Sequence, residues 1–128
     1  MDVLQKKTVD YSRERKQFGV PIGSFQALQH RMVDMLMIVE QARSLLYYAV
    51  MQQGRGEAAK AVSALKYYIG SKGRFFGEEA VQLHGGMGVT DEFDVAHYFK
   101  RLTMIDVQFG NSGYHLRRFQ KASKGESA

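Results

Sequence analysis

Two long segments whose apolar residues recur every three or four positions dominate this sequence. The first covers about residues 25–53, the second runs from Ala58 to Leu83, and Gly54-Arg55-Gly56 separates them. This spacing places apolar side chains on one face of an α-helix. Two long helices joined by a short loop lie antiparallel, so a helical hairpin is predicted at the centre of the fold. The stripe expected to be buried in the first helix is Leu28, Met32, Met35, Leu36, Val39, Ala42, Leu46, Ala49 and Val50.

Shorter helical segments lie on both sides of this hairpin. Residues 3–16 have helical spacing, and Gly19 and Pro21 end the run. Ser24 is the expected N-cap of the first long helix. The glycines inside the second long helix lower its helix propensity, which indicates that another helix approaches it closely. The methionines Met32, Met35 and Met37 are expected to fill the core.

The last third of the chain predicts three further helical pieces. A short piece runs from Asp94 through Arg101, and a second stretch covers 104–107. After a glycine-rich turn, Ser112 is a possible N-cap of a last helix that reaches Phe119.

These segments together predict an all-α fold, because no stretch alternates with the period of a β-strand. The expected architecture is an antiparallel four-helix bundle, up-and-down, with short extra helices. Residues 1–123 are expected to form this one domain, and residues 124–128 a disordered tail.

The composition narrows the function. The formal net charge of +5 favours anionic partners, yet no motif that reads RNA or DNA is present, so no nucleic acid is expected. The chain has no cysteine and its four histidines lack metal-ligand spacing, so no metal is expected. No apolar run approaches the roughly 20 residues that span a bilayer. These features, with no signal-peptide pattern, are compatible with a cytoplasmic protein.

Three segments carry candidate chemistry, and the first is Arg13-Glu14-Arg15-Lys16-Gln17-Phe18-Gly19. An arginine at a helix end presents a planar, permanently charged fork that suits phosphate oxygens. The alternative is an ordinary charged helix terminus.

The second segment is Gln82-Leu83-His84-Gly85-Gly86-Met87-Gly88. Its glycines let the backbone approach a ligand and expose N–H groups to it. It follows a helix rather than a strand, so it is not a dinucleotide-binding fingerprint of the Rossmann type. A plain glycine helix stop is the alternative.

The third segment is the turn Phe109-Gly110-Asn111-Ser112-Gly113. Free N–H groups at a helix start suit an anion or a polarised carbonyl oxygen. An ordinary interhelical turn remains the alternative.

The three segments in this order resemble the C-terminal helical domain of acyl-CoA dehydrogenases. The resemblance is carried by Tyr11-x-x-Glu14-Arg15-Lys16-Gln17-Phe18-Gly19, by Phe25-Gln26, by 80–89 and by Lys100-Arg101. It covers about residues 5–120, and the R-x-x-F-G and Q-x-x-G-G motifs lie about 65 residues apart.

Members of this family oxidise acyl-CoA thioesters: a carboxylate removes the α-proton while a hydride moves to FAD. The resemblance implies that the family's N-terminal helical domain and middle β domain are missing here, so this chain alone is expected to be inactive. It also implies a homodimer or tetramer whose cofactor sites are shared between subunits. The acyl-CoA substrate class, fatty acid or steroid side chain, stays open.

The same resemblance assigns cofactor roles by position. Arg15 and Gln17 correspond to residues that reach the FAD of the neighbouring subunit, with Arg15 at its pyrophosphate. Phe25 and Gln26 correspond to further cofactor contacts. The remaining matches are Gln82, Gly85 and Gly86 at the adenosine-pyrophosphate end, Asn111, Ser112 and Gly113 at the subunit's own FAD, and Gly110 on the substrate side.

Phe109 departs from the family pattern, because a catalytic glutamate usually stands there. A phenyl ring cannot remove a proton, although the backbone N–H at this position can still polarise a thioester carbonyl. No catalytic residue is therefore predicted within this chain. The pattern is similar to bacterial members without this glutamate, some of which carry the base on an earlier helix. Others pair a subunit that lacks the base with a catalytic one. A non-catalytic partner subunit and a helical protein-interaction domain are the alternatives.

Overall fold

Five α-helices make up most of the chain in the computed structural model, which describes residues 1–85 and 94–125. A small hairpin and a 3₁₀ turn at Ile22–Ser24 connect the first two helices. The helices are α1 (Asp2–Glu14), α2 (Gln26–Met51), α3 (Ala58–Leu83), α4 (Val95–Val107) and α5 (Ser112–Ser123), and the strands are β1 (Lys16–Gln17) and β2 (Val20–Pro21).

The helices form four columns, and each column runs antiparallel to the next one along the chain. Tyr11 near the end of α1 stacks on His84 at the end of α3, so these two helices run parallel. The helix between them in the chain, α2, returns in the opposite direction. The fourth column is α4 followed by α5, which together descend along α3. The all-α, up-and-down four-helix bundle predicted from the sequence is confirmed.

The direction of the fourth column follows from three contacts along α3. A Cβ added to Gly77 would meet Phe99, one on Gly73 would meet Leu102, and one on Gly70 would meet Asp106. The α4 residue numbers therefore rise as those of α3 fall. The predicted role of these glycines is confirmed, since the absence of a side chain lets α4 lie directly on α3.

The core lies between α1, α2, α3 and α4. Phe76 is fully buried at its centre, and burying a side chain of this size contributes about 2–3 kcal/mol. The other buried members of this cluster are Leu4, Met35, Ile38, Val39, Ala80, Leu83, Val95 and Leu102.

The long helices begin and end close to the predicted limits, but some details differ. Met37 is exposed, as are Leu36, Leu46 and Val50, because α2 buries only the face toward α1 and α3. The expectation that these residues fill the core is wrong. The two pieces predicted for 94–107 are one helix, within which the Thr103 hydroxyl donates to the Phe99 carbonyl.

Both predicted N-caps are also wrong. Ser24 ends the 3₁₀ turn, and its hydroxyl donates to the Pro21 carbonyl instead of accepting from α2. Ser112 is the first residue of α5, and the side chain of Asn111 is the cap, accepting from the Tyr114 N–H at 2.9 Å.

The helices described here include none that is long and apolar enough to cross a membrane. Residues 1–85 and 94–125 likewise contain no cluster of ligands suited to a metal ion. The predicted tail falls largely on residues 126–128, outside the described residues, and both the tail and the domain limits stay predictions.

Candidate functional site

Arg15 lies where α1 ends and a two-residue-turn hairpin begins. Its N–H donates to the Tyr11 carbonyl and its own carbonyl accepts from Ile22, both at 2.8 Å. These bonds fix the backbone while the side chain stays exposed. Within the described residues the guanidinium forms no ion pair. The permanently charged guanidinium therefore faces solvent, while hydrogen bonds hold the backbone that carries it.

The hairpin holds Gln17 beside Arg15. Strand β1 pairs antiparallel with β2, with Gln17 opposite Val20. Phe18 and Gly19 form the turn with φ of 53° and 81°, as in a type I′ turn. The sequence did not predict these strands, since two residues carry no readable alternation. The Phe18 side chain is 91% exposed, although only Arg15 and Gln17 of this segment were predicted to contact a cofactor.

Phe25 and Gln26 stand at the start of α2, next to the hairpin. Phe25 is the N-cap residue, and its ring meets that of Phe18 edge to face at 6.4 Å between centroids. Gln26 is the first residue of the helix and is exposed. The structure therefore brings Arg15, Gln17, Phe25 and Gln26 to one end of the bundle.

The end of α3 reaches the same end of the bundle. Gln82 is exposed in its last turn, and Gly85 has a φ of 59° that favours glycine. Between them His84 is buried, stacks on Tyr11 at 4.5 Å and contacts the Ala80 carbonyl through Nδ1 at 2.8 Å. Burial lowers the pKa of His84. Gly86 lies outside the described residues.

The third segment is the break between α4 and α5. Gln108 has φ −72° and ψ 133°, and Phe109 has φ 58°, three angles that agree with a type II turn. The Phe109 side chain is 93% exposed. Gly110 follows with φ 94°.

The amide groups of this break are partly occupied. The Ser112 N–H donates to Asp106 Oδ1 at 2.9 Å, and the Tyr114 N–H donates to Asn111. The expectation of free N–H groups in this turn is therefore wrong at Ser112, whereas Tyr114 lies just beyond the predicted segment. The negative group at the start of α5 is thus the side chain of Asp106 on α4, a residue of the same bundle.

The candidate residues form two separate groups. The turn lies against Gly70, because a Cβ there would be 3.1 Å from Ser112 Cβ. Gly85 lies 15 positions further along the chain, which at 1.5 Å per helical residue is roughly 20 Å. In a single chain the turn residues Gly110, Asn111 and Ser112 thus lie far from the hairpin group.

The fold and the candidate residues together define an all-α bundle domain with an exposed arginine hairpin at one end and an interrupted fourth column. Residues 1–124 match the family described as "Acyl-CoA dehydrogenase, C-terminal domain". The chain belongs to this family, which confirms the resemblance seen in the sequence.

Known proteins similar to this chain carry related names. The chain is 40% identical over 113 residues to "Acyl-CoA dehydrogenase IpdE2" of Mycolicibacterium smegmatis, covering 88% of this chain and 35% of the relative. A solved structure, the "ChsE4-ChsE5 complex from Mycobacterium tuberculosis", superposes with a TM-score of 0.90 at 28% identity, covering 99% of this chain and 35% of that one. Another, the "FAD complex of PigA", gives 0.86 at 27%, with 95% and 32% covered. The chain thus spans about a third of the length of these proteins.

Proposed function

We propose that this chain is the FAD-binding and oligomerisation domain of an acyl-CoA dehydrogenase. The reaction is the α,β-dehydrogenation of an acyl-CoA thioester, in which FAD, when bound, accepts the hydride. The observation that carries the proposal is the exposed hairpin end, where Arg15 and Gln17 meet Phe25, Gln26 and the end of α3.

The chemistry of this end suits a diphosphate. The Arg15 guanidinium donates in a planar fork, and Gly85, with no side chain, lets its neighbours' N–H groups approach phosphate oxygens. Gln17 and Gln82 add exposed amide groups. Gly86 is proposed to join them on the strength of the family resemblance.

The separation of the two groups of residues favours sites shared between subunits. The turn is proposed to face the chain's own flavin through Asn111 and Ser112 and the acyl thioester through Gly110, while the hairpin reaches the flavin of a second copy. A distance of roughly 20 Å along α3 keeps the two groups from closing around one small pocket within a single chain.

The outer surface of α2 supports oligomerisation. Of the eight large apolar residues that α2 exposes, six fall within a sector of about 120°, taking about 100° per residue. A concentration of exposed apolar side chains on one helix face marks a protein interface more often than a solvated helix face. These residues are Val33, Leu36, Met37, Tyr47, Tyr48 and Met51.

Replacing Arg15 tests the proposal. In the complete dehydrogenase that carries this domain, Arg15→Ala should lower the flavin content of the purified protein, because the diphosphate loses its charged partner. The matched control is Arg55→Ala, an exposed arginine in the α2–α3 loop at the opposite end of the bundle. An unchanged flavin content in Arg15→Ala would favour a domain that makes protein contacts only.

The isolated chain provides a second test. Most of the flavin pocket is proposed to lie outside these residues, so the 128-residue chain should neither turn over acyl-CoA nor retain FAD through purification. Submicromolar binding of FAD by the isolated chain would contradict the proposal.

A second candidate is a non-catalytic subunit of a heteromeric dehydrogenase. Phe109 favours it, because the side chain at this position cannot act as a base. The similar ChsE4-ChsE5 structure is a complex of two named chains. Copurification of the complete protein with a second dehydrogenase chain that supplies the carboxylate would support this candidate. Turnover of acyl-CoA by the complete protein without such a second chain would exclude it. For either candidate we propose a cytoplasmic location.

A further inference from the structure

His115 lies beneath the α4–α5 break, although no sequence motif draws attention to it. Its side chain is only 3% exposed. Ring atom Nε2 lies 2.9 Å from the Phe109 carbonyl oxygen, and Nδ1 lies 3.5 Å from Ser63 Oγ on α3. A carbonyl can only accept, so Nε2 carries a proton and donates to it. In the neutral ring, Nδ1 is then left to accept from the Ser63 hydroxyl.

The carbonyl that His115 binds belongs to a residue in an unfavourable conformation. Phe109 has a φ of 58°, where the Cβ of an L-residue crowds its own backbone. Its ring is almost wholly exposed, so side-chain packing does not hold it there. Such a conformation persists only where the surroundings over-determine it.

The neighbours of His115 restrict the same turn from the other side. A Cβ added to Gly110 would lie 2.5 Å from the Tyr114 ring and 3.2 Å from His115 Nε2. The Tyr114 and His115 rings also meet edge to face, with centroids 5.1 Å apart. The imidazole, the tyrosine ring and the type II turn therefore form one packed unit.

We propose that His115 is a positioning residue for this turn. Its Nε2–H holds the Phe109 carbonyl, and this bond keeps residue 109 in the left-handed region. It thereby sets the direction in which the side chain at position 109 leaves the bundle. The functional meaning rests on the proposed function, in which this turn faces the flavin and the acyl thioester.

The test compares two replacements of His115 in the chain as it stands, by nuclear magnetic resonance. A left-handed residue gives a strong Hα to N–H nuclear Overhauser effect within the residue. His115→Gln keeps a side-chain N–H donor and should retain this effect at Phe109. His115→Leu keeps the bulk without the donor and should reduce it to that of an ordinary residue. His97→Gln, at an exposed histidine on α4, is the matched control.

The chemical shifts of the two His115 ring nitrogens in the unmodified chain provide a measurement that does not require any variant to fold. They should identify the Nε2–H tautomer of His115, and the opposite tautomer would overturn the proposal. A native effect at Phe109 in His115→Leu would overturn it as well, because packing alone would then hold the turn. Flavin content does not enter these readings, so retention of flavin by Arg15→Ala would refute the proposed function and leave this inference standing.

Discussion

Replacing Gly70 with alanine tests the close approach of α4 to α3. The added Cβ would lie 2.1 Å from Asp106 Oδ1 and 3.1 Å from Ser112 Cβ. The carboxylate must then move by about 1 Å to regain ordinary contact. That movement breaks its bond to the Ser112 N–H, which measures 2.9 Å.

The expected loss follows from three opposing terms. Alanine raises the helix propensity of α3 by about 1 kcal/mol. A lost hydrogen bond to a charged group lowers the free energy of unfolding by about 1.5–3 kcal/mol. Crowding of Ser112 lowers it by about 1 kcal/mol more, at the lower end for an overpacked site. Gly70→Ala should therefore destabilise the chain by about 1.5–3 kcal/mol.

Gly73 offers a matched control one helical turn away. A Cβ there would meet Leu102 and Met1 at 3.8 Å, which is ordinary van der Waals contact. Gly73→Ala should thus show the helix-propensity gain alone, about 1 kcal/mol. Both variants are measured by thermal and urea unfolding followed by circular dichroism. About 4 °C in Tm per kcal/mol is expected for a domain of this size.

The sign of the difference decides the result. Gly70→Ala should melt about 6–12 °C below the unmodified chain, while Gly73→Ala should melt slightly above it. If Gly70→Ala melts as high as Gly73→Ala, α4 does not lie on α3 as closely as described. The geometry of the α4–α5 break would then be wrong as well.

Three further predictions concern other parts of the chain. Phe109→Asn should raise the free energy of unfolding by about 1 kcal/mol in urea titrations, because asparagine tolerates a left-handed backbone and the exposed phenyl contributes little burial; a loss of stability would refute this. Burial lowers the pKa of His84, so below about pH 6.5 the unfolded chain gains a proton that the folded chain does not. The free energy of unfolding should therefore decrease as the pH is lowered below about 6.5, and His84→Gln should weaken this dependence. The same pH dependence in the variant and the unmodified chain would argue against this role of His84. Met51→Lys should reduce self-association in analytical ultracentrifugation, whereas Met104→Lys, at an exposed methionine on α4, should leave it unchanged. Equal effects of the two substitutions would show that α2 is not part of the interface.

The sequence predicted the helices far better than the residues that cap them. Periodicity located α2 and α3, because a long apolar stripe is a property of many residues at once. Caps depend on a single side chain, and Ser24 lies one residue before the N-cap position, which Phe25 occupies. Its hydroxyl takes the Pro21 carbonyl, an outcome set by the 3₁₀ turn rather than by residue type.

The arrangement of the candidate residues could not be predicted from the sequence. The family motifs singled out Arg15 and Gly110, yet spacing along the chain could not reveal that about 20 Å separates their groups. The contact between His115 and Phe109 was equally invisible, because it joins a buried side chain to a backbone atom six residues away. Periodicity and motifs report on side-chain type, whereas this bond depends on the direction of a carbonyl.

The interruption of the fourth column affects which substitutions such a bundle can accept during evolution. The peptide groups there are braced by α3 and α5, while the side chain at position 109 projects outward and contributes nothing to the core. A phenyl, a carboxylate or an amide can be exchanged at that point with little effect on folding. In the proposed function, reactivity can thus be gained or lost by one substitution at position 109, while the architecture around it stays the same.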